Sequence, residues 1–390
     1  MNPSRSRIAW LLAGLVALGG CQTLGSAYDR WFGRGQPGQK AAELVPIQAA
    51  AATKMLWQGN VGGAEKDMFF PAVSGNVVYA AGAAGQIVGY DIASGGQVVR
   101  IDAGQRLSGA VGSGGAMVFA GTPKGEVLAF DASGKALWKV RIAGEVLAPP
   151  VMRDGMVVVR TGDGRIFGLD AGDGRRKWVY QRTTPALSIR SHAGVVVERG
   201  AVFAGFAGGR LAAIALGNGN VGWEGVVALP RGTTELERVA DITSLPLVDA
   251  RQVCAVAFQG RIACFDLLTG TTVWARDMSS AAGLAADSRY VYVTDDKDAV
   301  IALDKTSGAS LWKQDKLAGR GVSGPLALGG RYVVVGDYQG YVHVLSSSDG
   351  SFVARIATDG SAIGAPPVAL GADAFVVQTR NGGVFAIAIQ

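Results

Sequence analysis

Apolar positions in this chain fall in short runs rather than long periodic stretches. Met156-Val157-Val158-Val159 and Tyr332-Val333-Val334-Val335 are representative. Such runs are β-branched, bounded by Gly and too short for helices, so they predict strands. No long stretch with a 3.6-residue period interrupts them. The runs are embedded in one recurring motif: Gly, an alternating apolar run, Asp, a second Gly about four residues on, and Trp about four further. It reads Gly125, Asp131, Gly134, Trp138 in one unit and Gly260, Asp266, Gly270, Trp274 in another. The Asp-equivalent positions are 91, 131, 170, 215, 266, 304, 346 and 388, spaced 40, 39, 45, 51, 38, 42 and 42 residues apart.

Self-similarity at 40–45 residues with strand-like filling is the mark of a four-stranded propeller blade. Pro71, Pro150, Pro246, Pro325 and Pro367 each stand 20 or 21 residues before an Asp-equivalent position. Proline is tolerated at the first position of a strand, where its missing N–H need not join the ladder. Within each unit the Asp is expected to cap a tight turn, the following Gly to supply a positive φ, and the Trp to lie on the outer strand. The eighth unit ends at Gln390, before a Trp strand of its own, while Met55-Leu56-Trp57 stands alone before the first Pro landmark. The pattern therefore predicts an all-β fold, an eight-bladed β-propeller of four-stranded antiparallel blades over residues 54–390. An N-terminal strand would complete the last blade and close the ring.

Composition narrows the chemistry. Gly accounts for 58 of 390 residues, which fits the density of turns. Charged residues are 17%, too few for a disordered acidic or basic chain. The net charge of +6 does not imply nucleic acid, because Lys and Arg are scattered. Two His, three Cys and no CxxC or HExxH leave zinc chemistry without ligands, and no P-loop is present. No cofactor is expected.

The first residues have a different character. Arg5 and Arg7 precede a 13-residue apolar stretch, Ile8 to Gly20, that suits a secretory signal peptide over residues 1–20 better than a membrane span. Leu18-Gly19-Gly20-Cys21 resembles the cleavage box of bacterial lipoproteins, with Cys21 as the lipidated residue. Residues 21–53 read as a flexible tether. Gln22 in place of Asp leans towards the outer membrane, with the protein lipid-anchored and facing the periplasm.

The unit Ile262-Ala263-Cys264-Phe265-Asp266-Leu267-Leu268-Thr269-Gly270-Thr271-Thr272-Val273-Trp274 resembles the pyrroloquinoline-quinone-type propeller repeat. With the lipoprotein box and eight units, the chain resembles the BamB family, lipoprotein subunits of the outer-membrane β-barrel assembly machinery. Two stretches, Pro185 to Arg190 and Arg231 to Thr243, occupy the two longest spacings and carry the more specific likeness. In that family a Leu-Ser-apolar-Arg loop and an acidic loop bind the POTRA domains of BamA. The resemblance thus implies a non-enzymatic scaffold that contacts BamA through Leu187, Ile189, Arg190, Glu235, Glu237, Arg238 and Asp241. Leu187 and Ile189 would be the apolar anchors. Thr243 stands where the family has a second acidic residue, which alters the local charge. Glu235, Glu237 and Arg238 read equally well as a solvated helical turn.

Other functions leave weaker traces. A quinone-dependent dehydrogenase shares the repeat, but its chemistry needs a carboxylate-rich calcium-type site. The densest acidic cluster, Asp295, Asp296 and Asp298, reads as a hairpin turn. His192 and His343 read as packing or surface residues rather than general bases. Cys254 and Cys264 flank Gln259-Gly260; around a two-residue turn position 254 faces 265, so two buried thiols are expected, although a secreted setting permits a disulfide. A ligand in the central channel, or pairing of unfolded outer-membrane clients with strand edges, has no residue signature.

Overall fold

The computed structural model describes residues 40–390. The signal segment 1–20, Cys21 and the first part of the expected tether lie outside the described residues. From Thr53 to Ile389 the chain forms eight antiparallel sheets of four strands each. Blades 1 to 7 span residues 72–102, 112–141, 151–180, 196–226, 247–277, 283–314 and 326–357. Blade 8 combines Val368–Ala369, Ala374–Gln378 and Gly383–Ile389 with Thr53–Asn60, which pairs antiparallel to Gly383–Ile389 and closes the ring. The five landmark prolines each immediately precede the innermost strand of their blade.

The core is distributed between blades. Eight apolar clusters fill the eight interfaces between neighbouring sheets, and the one joining blade 8 to blade 1 contains Trp57, Val78, Val88, Val376 and Val384. The middle two strands of each blade are therefore covered on both faces, which explains their unbroken apolar runs. The outer strands bury few positions; in Gln97–Asp102 only Val99 and Ile101 are buried.

The recurring Asp, Gly and Trp act together. Asp266 Oδ1 accepts the Thr269 N–H at 2.8 Å and so caps the turn between the third and fourth strands. Gly270 has φ +69, and a Cβ there would lie 2.5 Å from the Trp223 ring of the preceding blade. The Trp223 indole donates to the Leu267 carbonyl at 3.1 Å. The same donation runs from Trp57 to Ile92, Trp138 to Ala171, Trp178 to Leu216, Trp274 to Lys305 and Trp312 to Ser347. Each tryptophan thus joins its blade to the next one. Blades 1 and 7 carry Val99 and Ala354 at this position instead.

Two expectations change. Cys254 and Cys264 are directly opposed on neighbouring strands and form a disulfide, with Cα atoms 4.0 Å apart. The turn contains three residues, Phe258-Gln259-Gly260, between Ala257 and Arg261, with Gln259 at φ 49. One extra turn residue shifts the register by one and brings the two thiols face to face. Residues 40–52, assigned to the tether, are docked on blades 6 and 7. Ala42 N–H donates to Ala318, Ala50 N–H donates to Val353, and the Arg320 and Arg355 guanidinium groups donate to the Ala42 and Val45 carbonyls.

Candidate functional site

Strands within a blade alternate in direction. The crossovers from one blade's outer strand to the next blade's inner strand therefore emerge on one face, together with the hairpins between second and third strands. The two longest crossovers, 181–195 before blade 4 and 227–246 before blade 5, contain all seven residues expected to bind a partner. These crossovers carry Leu187, Leu229, Leu236 and Leu245 with 39%, 56%, 54% and 42% of their surface exposed.

The seven residues divide into outward and inward groups. Leu187 is exposed and Ile189 half-buried. Glu235 and Arg238 are exposed and lie 3.7 Å apart, an ion pair that contributes little in water. Glu237 is used locally: its carboxylate accepts the Thr233 and Thr234 N–H groups at 2.8 and 3.1 Å, while Thr234 Oγ1 accepts the Glu237 N–H. This reciprocal capping builds one helical turn, and the Thr234 and Thr233 backbone donors hold the Glu237 carboxyl below its ordinary pKa.

Asp241 departs from the expectation of a contact residue. It is only 3% exposed, with Oδ2 accepting the Ile189 N–H at 2.7 Å and Oδ1 accepting the Gly208 N–H at 3.0 Å. Its carboxylate ties the two long crossovers together. Arg190 remains exposed, but its guanidinium is engaged by carboxylates of other crossovers. Its Nη2 donates to Asp67 Oδ1 and its Nε to Glu145 Oε2, both at 3.2 Å.

Residues that sequence reasoning missed complete the arrangement. Asp67, Arg106 and Glu145 come from the crossovers before blades 1, 2 and 3, and Arg106 donates to Asp67 Oδ2 at 2.8 Å. Burial raises the Asp67 pKa, but the His192 and Arg190 side chains and the Arg106 charge outweigh it and hold the carboxyl below its usual value. Arg160, at the end of Met156–Arg160, is buried beneath the same crossovers. It donates to Gly194 O at 3.3 Å and lies 5.4 Å from the Phe206 ring centre. Burial lowers its pKa to about 10, partly opposed by the Asp241 charge, so it remains cationic at neutral pH. None of these four residues belongs to a repeat landmark, so nothing in the sequence singles them out.

The Asp295, Asp296 and Asp298 cluster forms the hairpin between the second and third strands of blade 6. Its carboxylates accept backbone N–H groups, including those of Ala281, Ala299, Gly321 and Val322. Among the described residues no group of three His, Cys, Asp or Glu side chains is arranged to hold a metal ion. The arrangement is suited to binding: apolar side chains displayed on loops whose polar groups are braced from behind.

A family model described as outer membrane protein assembly factor BamB matches residues 95–314 and 300–390. A BamB of that description from Nitrosomonas eutropha is 46% identical, covering 99% of this chain and 96% of the relative. One from Bordetella pertussis is 42% identical, with 98% of each chain covered. Among solved structures, BamB from Moraxella catarrhalis has a TM-score of 0.79 at 28% identity, covering 86% of this chain and all of that one. A quinohemoprotein alcohol dehydrogenase from Comamonas testosteroni reaches a TM-score of 0.69 at 12% identity over 86% of this chain and 76% of its own, a likeness of fold alone.

Proposed function

This chain belongs to the BamB family of outer membrane protein assembly factors, and from that membership we propose that it is a non-enzymatic scaffold for β-barrel insertion that binds the POTRA domains of BamA. It acts at the outer membrane, held there by a lipid on Cys21 and facing the periplasm. The contact runs through the 181–195 and 227–246 crossovers, with Leu187 and Ile189 as apolar anchors and Glu235 and Arg238 at the rim. Asp241 braces the loops from within, while the exposed Glu237 and Arg190 hold them through local and cross-loop bonds.

The observation that carries this reading is the combination of exposure and bracing at one place. Leu187 is exposed while the amide two residues on is held by the buried Asp241. Apolar side chains displayed on rigid backbone lose little entropy on binding, which is what a partner hot spot requires. No cofactor enters this role.

The test is recovery of BamA with the tagged, full-length protein from membranes, compared with Leu187→Asp. Leu187 is on the surface, so the variant should fold. Placing a carboxylate in an apolar contact should reduce BamA recovery at least tenfold. Equal recovery with both proteins would move the interface elsewhere on the ring, and no BamA with either would overturn the scaffold reading.

A further inference from the structure

We propose that Asp67 positions the 185–192 segment for its partner, acting through Arg190 and His192 without touching the partner itself. The proposal rests on the interface described above and adds a residue from the far side of the ring's first crossovers. The Asp67 side chain is 1% exposed, so no partner can reach it. It lies 123 positions before Arg190, whose Nη2 donates to it at 3.2 Å. The next residue, Met68, donates its N–H to His192 Nε2 at 3.2 Å. One short stretch of the crossover before blade 1 therefore grips the segment before blade 4 at two points.

The other side of that segment is held differently, by Asp241 on the Ile189 N–H at 2.7 Å. Leu187 and Ile189 thus sit on backbone fixed from two directions, by one carboxylate before blade 1 and another before blade 5. A buried carboxylate needs its cations. Without Asp67, the Arg190 guanidinium keeps only Glu145, whose side chain is 46% exposed, and Arg106 keeps only Glu65, whose side chain is 60% exposed. The segment would then exchange one fixed arrangement for many.

The experiment measures amide hydrogen exchange across residues 186–192 in the purified protein, together with capture of full-length BamA in detergent. Asp67→Asn keeps the shape and removes the charge. Arg106→Gln removes the other cation from the same cluster but leaves the Asp67–Arg190 pair intact. Exchange in 186–192 should rise at least tenfold in Asp67→Asn, with BamA capture weakened on the order of tenfold, and both should stay near wild type in Arg106→Gln. Unchanged exchange in a folded Asp67→Asn protein overturns the proposal, as does an equal rise in Arg106→Gln, which would mark a general loosening of the cluster. Faster exchange with undiminished BamA capture would uphold the grip of Asp67 on the loop and refute the BamA interface assigned to it. If Asp67→Asn does not fold, the more exposed Arg190→Gln must show the same rise in exchange, or the proposal fails.

Discussion

His343 is fully buried and has hydrogen-bond partners for one ring proton only. Its Nδ1 accepts from Arg355 Nε at 3.1 Å, so the proton sits on Nε2 and is donated to Asp337 Oδ2 at 3.0 Å. Arg320 donates to the same Asp337 oxygen at 2.8 and 2.7 Å. Burial lowers the His343 pKa, and the neighbouring Asp337 only partly restores it. The unfolded chain takes up a proton below about pH 6.5, whereas the folded one does so only at lower pH. Its contribution to stability is therefore complete above that pH and declines as pH falls, by at most about 1.4 kcal/mol per unit. Urea midpoints measured at pH 7.5 and 5.5 should show a smaller acid loss in His343→Gln than in wild type. An identical slope in the two proteins would refute the assignment. Cys254 and Cys264 supply a second residue-scale prediction. Thiol alkylation of the denatured, unreduced protein should leave both unlabelled, and reduction should expose both; labelling before reduction would contradict the bridge.

At the scale of the element, the unit of cohesion is a tryptophan from one blade seated on the hairpin of the next. Gly155 and Gly270 separate backbone from packing, since both have positive φ, +75 and +69, but only Gly270 lies beneath a tryptophan. Nothing is within 4 Å of a Cβ at Gly155, whereas one at Gly270 would meet Trp223 at 2.5 Å. Gly155→Ala should cost about 1 kcal/mol, the strain of a left-handed non-glycine residue. Gly270→Ala should cost about 3 kcal/mol, since overpacking adds to the same strain. Equal losses in chemical unfolding would show that the tryptophan contact carries no weight. The acidic turns follow the same local logic, as at Asp304, where the Thr306 and Ser307 hydroxyls and the Ser307 N–H lower the pKa to about 2.

For the molecule as a whole, closure is the decisive contact. Thr53–Asn60 supplies the outer strand of a sheet whose other three strands come from residues 368–389, and Trp57 carries the bond from blade 8 to blade 1. Removing residues 54–58 takes away that strand and leaves two apolar interfaces incomplete, those of blade 8 with its neighbours. The melting temperature should fall on the order of 10 °C, given several kcal/mol lost from a domain of this size. An unchanged melting temperature would sink the closure argument.

The blade count, the strand order and the ring closure were all legible in the sequence, because each blade repeats one local rule. Asp131, Gly134 and Trp138 sit within eight positions of one another, and the short apolar runs bounded by Gly return with every blade. Such short-range patterns survive translation into structure because turn chemistry and side-chain alternation act over a few residues. The Cys254–Cys264 bridge shows the limit of this reasoning, since one additional turn residue changed which positions face each other. The long crossovers could be located from the spacings, and Leu187 identified through a family resemblance. The inward turn of Asp241 and the grip of Asp67 on Arg190 could not be anticipated. Those contacts join segments 52 and 123 positions apart that belong to no repeat. The sequence by itself determined the ring, through rules satisfied within each unit. The tertiary structure alone decided which charged groups face solvent and which brace the loops, because only closing the ring brings the crossovers before blades 1 to 5 together.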